Sequence, residues 1–371
     1  MTAHGVRRCL VVSTAYVDAA PRGKLRALAA LGVEVTAAVP QRWPDPVYGR
    51  LRQASWERQG EVEVFPLPID GLEADTARFR RRELATLIRD KRPDLVQIEE
   101  TPGGTLATQV ARAAARARIP VIACSSVNVR WPGGWLTARR RRATLRVARG
   151  ALAASGAALR MLTRARSDLP VEVVPPHGVP VPPTPVHQPH AGVHLACVGR
   201  LERRRGLDTL LDALSARRMH EWTLTVVGDG PDRERLEALA TRLRLAARIR
   251  WTGSLPAEHV LALWPTMDVL VHPVHALPDW EEPYGDVLAE AMGHEVAVVG
   301  TAAGVVPETI GGAGLVVAPE DATALAEALG RLADPDEQRA FAAAARARAL
   351  ALFTDDAIAE RTMAFWRRVL T

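Results

Sequence analysis

DWEEPYGDVLAEAMG (279–293) is the stretch from which the rest of the chain is read. It joins a Pro283-Tyr284-Gly285 loop to VLAEAM, a run of strong helix formers. Proline suits a first helical turn, where its missing N–H is not needed, so a loop turning into a helix is predicted over 284–293. A helix N-terminus presents free N–H groups and partial positive charge, and it favours a bound anion such as phosphate. Gly285 lets that anion reach the backbone. Two carboxylates flank this start. Glu282 precedes the helix, and Glu290 stands about two turns in, roughly 9 Å along the axis. Each accepts hydrogen bonds from hydroxyls, so one anionic ligand with hydroxyls at both ends suits them. A nucleotide sugar has that layout. Glutamates near helices are also commonly solvated surface, and the neighbouring stretches separate the two readings.

Around this stretch the chain alternates. HLACVGRL, TLTVVGDG, IRWTGS, MDVLVHP, VAVVGT and GLVVAP read as strands, with helices near 206–218, 231–246, 256–265, 284–293 and 321–332. The first half repeats the pattern less regularly. Residues 6–14, EVTAAVP, VEVFPLP, DLVQIEE and PVIACSS are its apolar runs, with helices at KLRALAALG and near 77–90 and 104–117. Such alternation predicts α/β architecture with parallel sheets wrapped by helices. Ligands of such sheets bind beyond the C-terminal strand ends. That rule places 16–22, 99–103 and 125–130 at the rim, and with them Glu99, Glu100, Ser126 and Asn128. The proline-dense VEVVPPHGVPVPPTPVHQPHAG (171–192) reads as a strand, a turn and an extended linker. It puts a domain boundary near 185, giving domains 1–185 and 186–354. An amphipathic helix, DDAIAERTMAFWRRVL (355–370), closes the sequence.

The 371 residues suit two domains. The net charge is +6, carried almost wholly by arginine, since Lys24 and Lys91 are the only lysines. Arginine grips phosphate in a bidentate fork, so anionic ligands fit. Aromatics are 5% and no base-stacking motif is present, which argues against nucleic acid. TARRRRATLRVARG (137–150) puts six arginines on helix-forming sequence. It is either a solvated face or a contact for an anionic membrane surface or acidic acceptor. Cys9, Cys124 and Cys197 lie far apart in apolar runs, as buried reduced thiols do, without disulfide or zinc spacing. VRRCLVVSTAY is too short an apolar core for a signal peptide, and GALAASGAALRMLT, broken by Arg160, is too short to span a bilayer. A cytoplasmic protein is expected, with peripheral membrane association as one reading of the arginine helix.

Two further strand-end loops join the opening stretch. VGRLERRRGLDTLL (198–211) brings Arg200 and Arg205 to a rim where they can clamp a diphosphate, each charge-assisted bond contributing about 1.5–3 kcal/mol. VVGDGPDRERL is a glycine-rich strand-to-helix turn. Together with IRWTGSLPAEHV, MDVLVHP, EEPYGDVLAEAMG and GVVPETIGGAGLVVAPED, these loops resemble, in order and spacing, the family 4 glycosyltransferases of the GT-B fold. The resemblance covers about 190–350 well and the first domain more loosely. It implies two Rossmann-like domains facing a cleft, the first for the acceptor and the second for the donor, with the final helix (355–371) crossing back to the first. By position, Arg200 matches a phosphate-binding arginine, and Arg205 stands where the family usually has lysine. Glu282 matches the acid on the donor sugar hydroxyls and Glu290 the ribose-binding acid. The backbone at Tyr284, Gly285, Asp286 and Val287 matches the segment around sugar and diphosphate. Gly228, Asp229, Gly253 and Ser254 fall near where the base is held. Departures are the VDAAPRG loop in place of a Gly-Gly turn, Ser126 and Asn128 near the place of a sugar-contacting histidine, and Asp286 beside a diphosphate. The Asp286 carboxylate suits the helix N-terminus instead.

The activity so implied is retaining transfer of a hexose-type sugar from a UDP- or GDP-sugar to an acceptor hydroxyl, with Glu282, Arg200 and Arg205 carrying it. No metal or cofactor beyond the nucleotide-sugar co-substrate is expected. Asp334-Pro335-Asp336 reads as a helix cap, and His272 and His294 as strand-end or surface residues. Two other classes fit the same residues: a catalytically silent nucleotide-sugar-binding subunit, and a nucleotide-sugar epimerase using Glu99 and Glu100.

Overall fold

The computed structural model describes residues 5–44, 50–73, 76–216 and 221–371. The chain forms two compact units, Met1–Gly178 with Asp355–Thr371, and Val179–Thr354. The first break precedes the expected 185. Val179 already belongs to the second unit, its N–H donating to Phe353 O at 2.8 Å.

The first unit holds a sheet of β1 (Arg8–Val12), β2 (Glu34–Pro40), β3 (Glu57–Gln59), β4 (Val62–Leu67), β5 (Leu95–Ile98), β6 (Val121–Ser125), β7 (Ala148–Ala153) and β8 (Val171–Val173). The order is β8-β7-β6-β5-β1-β2-β4-β3, parallel except for β3, which runs antiparallel to β4. Its central strands are near-continuous apolar runs because both faces are covered; Leu10, Val11 and Val12 are fully buried. Helices α1 (Gly23–Ala30), α2 (Arg81–Lys91), α3 (Thr105–Arg116), α4 (Trp135–Val147) and α5 (Gly156–Ala165) supply the cover. The helix expected from 77 starts only at Arg81, because Arg78 and Phe79 pair with Ile69 and Asp70 in a short antiparallel ladder.

The second unit has an all-parallel sheet of β9 (Val193–Val198), β10 (Trp222–Val227), β11 (Ile249–Gly253), β12 (Val269–His272), β13 (Ala297–Thr301) and β14 (Leu315–Val317). Their order is β11-β10-β9-β12-β13-β14. Its helices are α6 (Leu207–Ala216), α7 (Arg233–Arg242), α8 (Ala257–Leu261), α9 (Asp286–Gly293), α10 (Val306–Ile310), α11 (Ala322–Leu332) and α12 (Pro335–Leu352). Of the helix expected over 206–218, residues 217 and 218 lie outside the described residues. α12 starts with Pro335 in its first turn, and Asp334 caps it by accepting from the N–H groups of Asp336 and Glu337 at 2.9 and 3.0 Å.

The last helix, α13 (Asp355–Leu370), packs in the first unit. Ile358, Phe365 and Trp366 are buried there, and Trp366 Nε1 donates to Gln97 Oε1 of β5 at 2.8 Å. The three cysteines are free. Burial pushes the Cys197 thiol up to about 12 and those of Cys9 and Cys124 well above the usual range. Among the described residues no helix is long and apolar enough to cross a membrane.

Candidate active site

In the second unit β9 lies between β10 and β12, so the chain leaves β9 toward one side of the sheet and β12 toward the other. A doubly wound sheet opens a ligand crevice at such a switch point, beyond the carboxyl ends of the strands. The loop after β9 carries Arg200 and Arg205, and the loop after β12 carries Glu282. The arginine loop tightens into a 3-10 turn, Arg203–Arg205, and then passes through Gly206 at φ 68°. A Cβ on Gly206 would collide with the Pro273 carbonyl oxygen, 1.8 Å away. Only glycine lets the two loops touch, and that contact sets where Arg205 stands.

Arg205 Nη1 donates to Glu282 Oε2, and His272 Nε2, at the end of β12, lies 3.7 Å from the same oxygen. Glu282 and His272 are each 6% exposed. Carboxylate and guanidinium neutralise one another, as a buried charge requires. Two donors or acceptors remain open, since Arg205 Nε and His272 Nε2 are buried and make no hydrogen bond. Buried polar atoms normally have partners; these two have none among the described residues. An added Cβ on Gly199 would meet only Arg205 Nε, at 3.9 Å, so the backbone beside that open N–H is bare.

Trp280 lies under the guanidinium groups of Arg204 and Arg205, 4.6 and 5.6 Å from its ring centre. Glu202 ties Arg204 to Arg200 through contacts of 2.6 and 2.7 Å. Arg200, its side chain 61% exposed, therefore joins Arg205 and Glu282 through Glu202, Arg204 and Trp280. The sequence reading missed His272 as a member of this cluster, and Glu202 and Trp280 with it. Trp280 stands two residues before Glu282 in the opening stretch, and an aromatic beside an acid there was the available signal.

Glu282 is also fixed by its main chain. Its carbonyl accepts from Val305 N–H at 3.1 Å, and a Cβ on Gly304 would fall 2.5 Å from Glu282 N. The helix that follows begins at Asp286, with Gly285 as N-cap, rather than near 284. Pro283 is therefore loop and not first turn. Leu288, Ala291 and Met292 bury one face of α9, at the spacing of a helix laid on a core. No side chain of Gly285 can cap the helix, so the first N–H groups of α9 point to what lies before them. Asp286 occupies the first turn, where a carboxylate complements the macrodipole. Gly285 is held against Thr309, whose Oγ1 lies 2.4 Å from where a Cβ would be. Tyr284, Val287 and Glu290 are partly buried along this segment.

The loops proposed to hold the base are laced to the same edge. Gly228 N–H donates to Gly253 O at 2.9 Å, and its missing Cβ leaves room for the Gly199 carbonyl. Asp229 accepts from Gly230 N–H at 2.8 Å and pairs with Arg233 at 3.3 Å. Ser254 is exposed just beyond β11.

In the first unit, β1 lies between β2 and β5, and Glu99 and Glu100 follow β5. Glu99 is committed to an internal network: it accepts from Lys24 Nζ at 2.6 Å, Gln97 Nε2 at 2.6 Å and Tyr16 hydroxyl at 2.7 Å. Glu100 accepts from Thr14 N–H at 2.5 Å, and burial, with Glu99 adding to it, raises its carboxyl above the usual range. Ser126 and Asn128 are partly buried just after β6.

A model described as glycosyl transferases group 1 matches residues 192–335, and one described as glycosyl transferase 4-like domain matches 17–176. The chain belongs to family 4 of the GT-B glycosyltransferases. Among curated family relatives, a GDP-mannose-dependent alpha-(1-6)-phosphatidylinositol monomannoside mannosyltransferase of Mycolicibacterium smegmatis is 36% identical over 159 residues, 41% of this chain and 42% of that one. A D-inositol 3-phosphate glycosyltransferase of Corynebacterium urealyticum is 32% identical over 153 residues, 38% of this chain and 35% of its own. The matched segment thus spans less than half the length of these relatives. The fold extends further than the sequence match. Sucrose-phosphate synthase from Thermosynechococcus elongatus superposes with a TM-score of 0.71 at 21% identity, covering 98% of this chain and 99% of that one. Anabaena HepE in complex with UDP gives 0.68 at 18% identity, covering 98% and 100%.

Proposed function

We propose that the chain transfers a sugar from a nucleotide diphosphate sugar to an acceptor hydroxyl with retention of anomeric configuration. The observation that carries this is the open, buried Nε–H of Arg205 beside bare Gly199 backbone and Glu282, at the switch point of the second sheet. A diphosphate needs cationic N–H donors there, and the sugar next to it needs an acceptor for its hydroxyls. Arg205 and Glu282 are one of each.

In this reading the bond from the anomeric carbon to the diphosphate oxygen breaks through an oxocarbenium-like state. The electron pair leaves with the nucleoside diphosphate, where Arg205, Arg200 and the N–H groups at the start of α9 stabilise the developing charge. The acceptor oxygen bonds to the anomeric carbon on the face the diphosphate leaves, and its proton passes to a departing phosphate oxygen. Glu282 holds the donor sugar, Glu290 the ribose, and the loops at Gly228, Asp229, Gly253 and Ser254 the base. Glu100, Ser126 and Asn128 serve the acceptor side. The donor class is supported by the GDP-mannose named for one relative and the UDP bound in a neighbour of like fold. GDP-mannose is the donor to try first.

The test is release of nucleoside diphosphate from GDP-mannose and UDP-glucose, with inositol-phosphate acceptors, followed by analysis of the product linkage. An α-linked product supports the reading. Epimerised donor without transfer favours the epimerase, and donor binding without turnover on any acceptor favours the silent subunit.

A further inference from the structure

A groove of about 950 Å³ lies on the first unit, between α2 and α3. One wall is a single face of α2, positions 81, 84, 85, 88 and 89, continued by Arg92 just past its end; the other is a single face of α3, positions 105, 108, 109, 112, 113 and 116. Spacings of three and four put each set on one side of its helix, so the groove runs the length of both, roughly 17 Å. Leu84, Ile88 and Ile119 give it an apolar floor. Arginine forms the rim: Arg81, Arg89 and Arg92 on one side, and Arg112 and Arg116 on the other. Arg78, Arg139 and Arg140 close the ends, the last two from α4 beside Leu136. Among the described residues no aspartate or glutamate lines it. Among the described residues only Arg89 of these eight is in an ion pair, with the exposed Asp90.

Eight gathered cations, seven of them without an ion-pair partner among the described residues, repel one another unless an anion sits among them. The groove is too long for one phosphate, and among the described residues no aromatic side chain lines it to stack a nucleic-acid base. At its end, Trp135 and Leu136 are 71% and 51% exposed at the start of α4. An apolar floor, an arginine rim and an exposed tryptophan-leucine pair are the composition of a surface that settles at a bilayer interface. We propose that this groove docks the first unit onto an anionic phospholipid surface, with the arginines taking headgroup phosphates while Trp135 and Leu136 enter the interface. Of the arginine-rich run at 137–150, only Arg139 and Arg140 line the groove; the rest of the rim comes from parts of the sequence far from it.

The experiment is flotation of the full chain with vesicles of phosphatidylcholine alone and of phosphatidylcholine mixed with phosphatidylglycerol. Binding is expected only to the mixed vesicles, weakening as salt rises. Arg112→Ala with Arg116→Ala should lower partition roughly thirtyfold, about fivefold for each arginine lost. Arg139→Ala with Arg140→Ala, on a different helix, should do the same, and Trp135→Ser should weaken binding at unchanged charge. An unchanged melting temperature certifies each variant. Equal binding to both vesicle types, or full binding by both arginine pairs, overturns the proposal. So does absence of vesicle binding while poly-aspartate, heparin or inorganic phosphate binds and is lost with the same arginines. The outcome is independent of donor turnover.

Discussion

At the scale of single residues the account rests on Arg205 and Glu282. Their ion pair is largely buried, so deleting one partner strands the other. Glu282→Ala should therefore destabilise the second unit by about 3 kcal/mol, at the low end of the range for a broken buried pair because Arg205 retains some solvent contact. Calorimetric melting checks this. Glu282→Gln keeps an acceptor for Arg205 and should melt closer to the parent, yet turn over slowly, because the carboxylate proposed to orient the sugar is gone. Glu100 offers a prediction of a different kind. Burial raises its folded carboxyl above the usual 4.5. The folded state then binds more protons than the unfolded one, and stability falls as pH rises through that folded value. Glu100→Gln removes this loss and still accepts from Thr14 N–H. It should melt higher than the parent at neutral pH, with the advantage vanishing below the ordinary carboxylate range. A variant that melts lower at neutral pH contradicts the assignment.

At the scale of elements, α9 and α13 carry most of the consequence. Gly285→Ala must push Thr309 aside, and overpacking of this kind costs about 1–3 kcal/mol; it should also tilt the start of α9 and weaken nucleotide binding. In α13, Trp366→Phe leaves Gln97 Oε1 without its donor and should cost about 1–3 kcal/mol, measured by denaturant unfolding. α9 was legible because VLAEAM has strong propensity and a glycine before it. Its first residue was not, since Pro283 fits a first turn as well as a loop, and contact with Thr309 and Gly304 decides between them. α12 went unread beyond its cap, because its alanine-rich run lacks a strong apolar stripe and periodicity has little to act on. His272 looked like an ordinary strand-end histidine. Its closeness to Glu282 depends on a loop folding back, which spacing along the chain does not encode. The groove was invisible for the same reason: its arginines come from three separate stretches.

At the scale of the whole molecule, strand-helix alternation was enough to predict two parallel sheets. Strand order was not readable from periodicity, yet it matters most, because placing β9 between β10 and β12 creates the switch point where the charged loops meet. The cations there come from the protein itself, so chelation with EDTA should leave nucleoside diphosphate release unchanged; loss of turnover restored by a divalent ion contradicts that reading. The most direct measurement is calorimetric titration of the parent and of Arg205→Ala with GDP and UDP. Binding of at least one nucleoside diphosphate by the parent is predicted, weakened about tenfold to a hundredfold in the variant by loss of charge-assisted hydrogen bonds. Equal affinity in a folded variant would contradict the central claim.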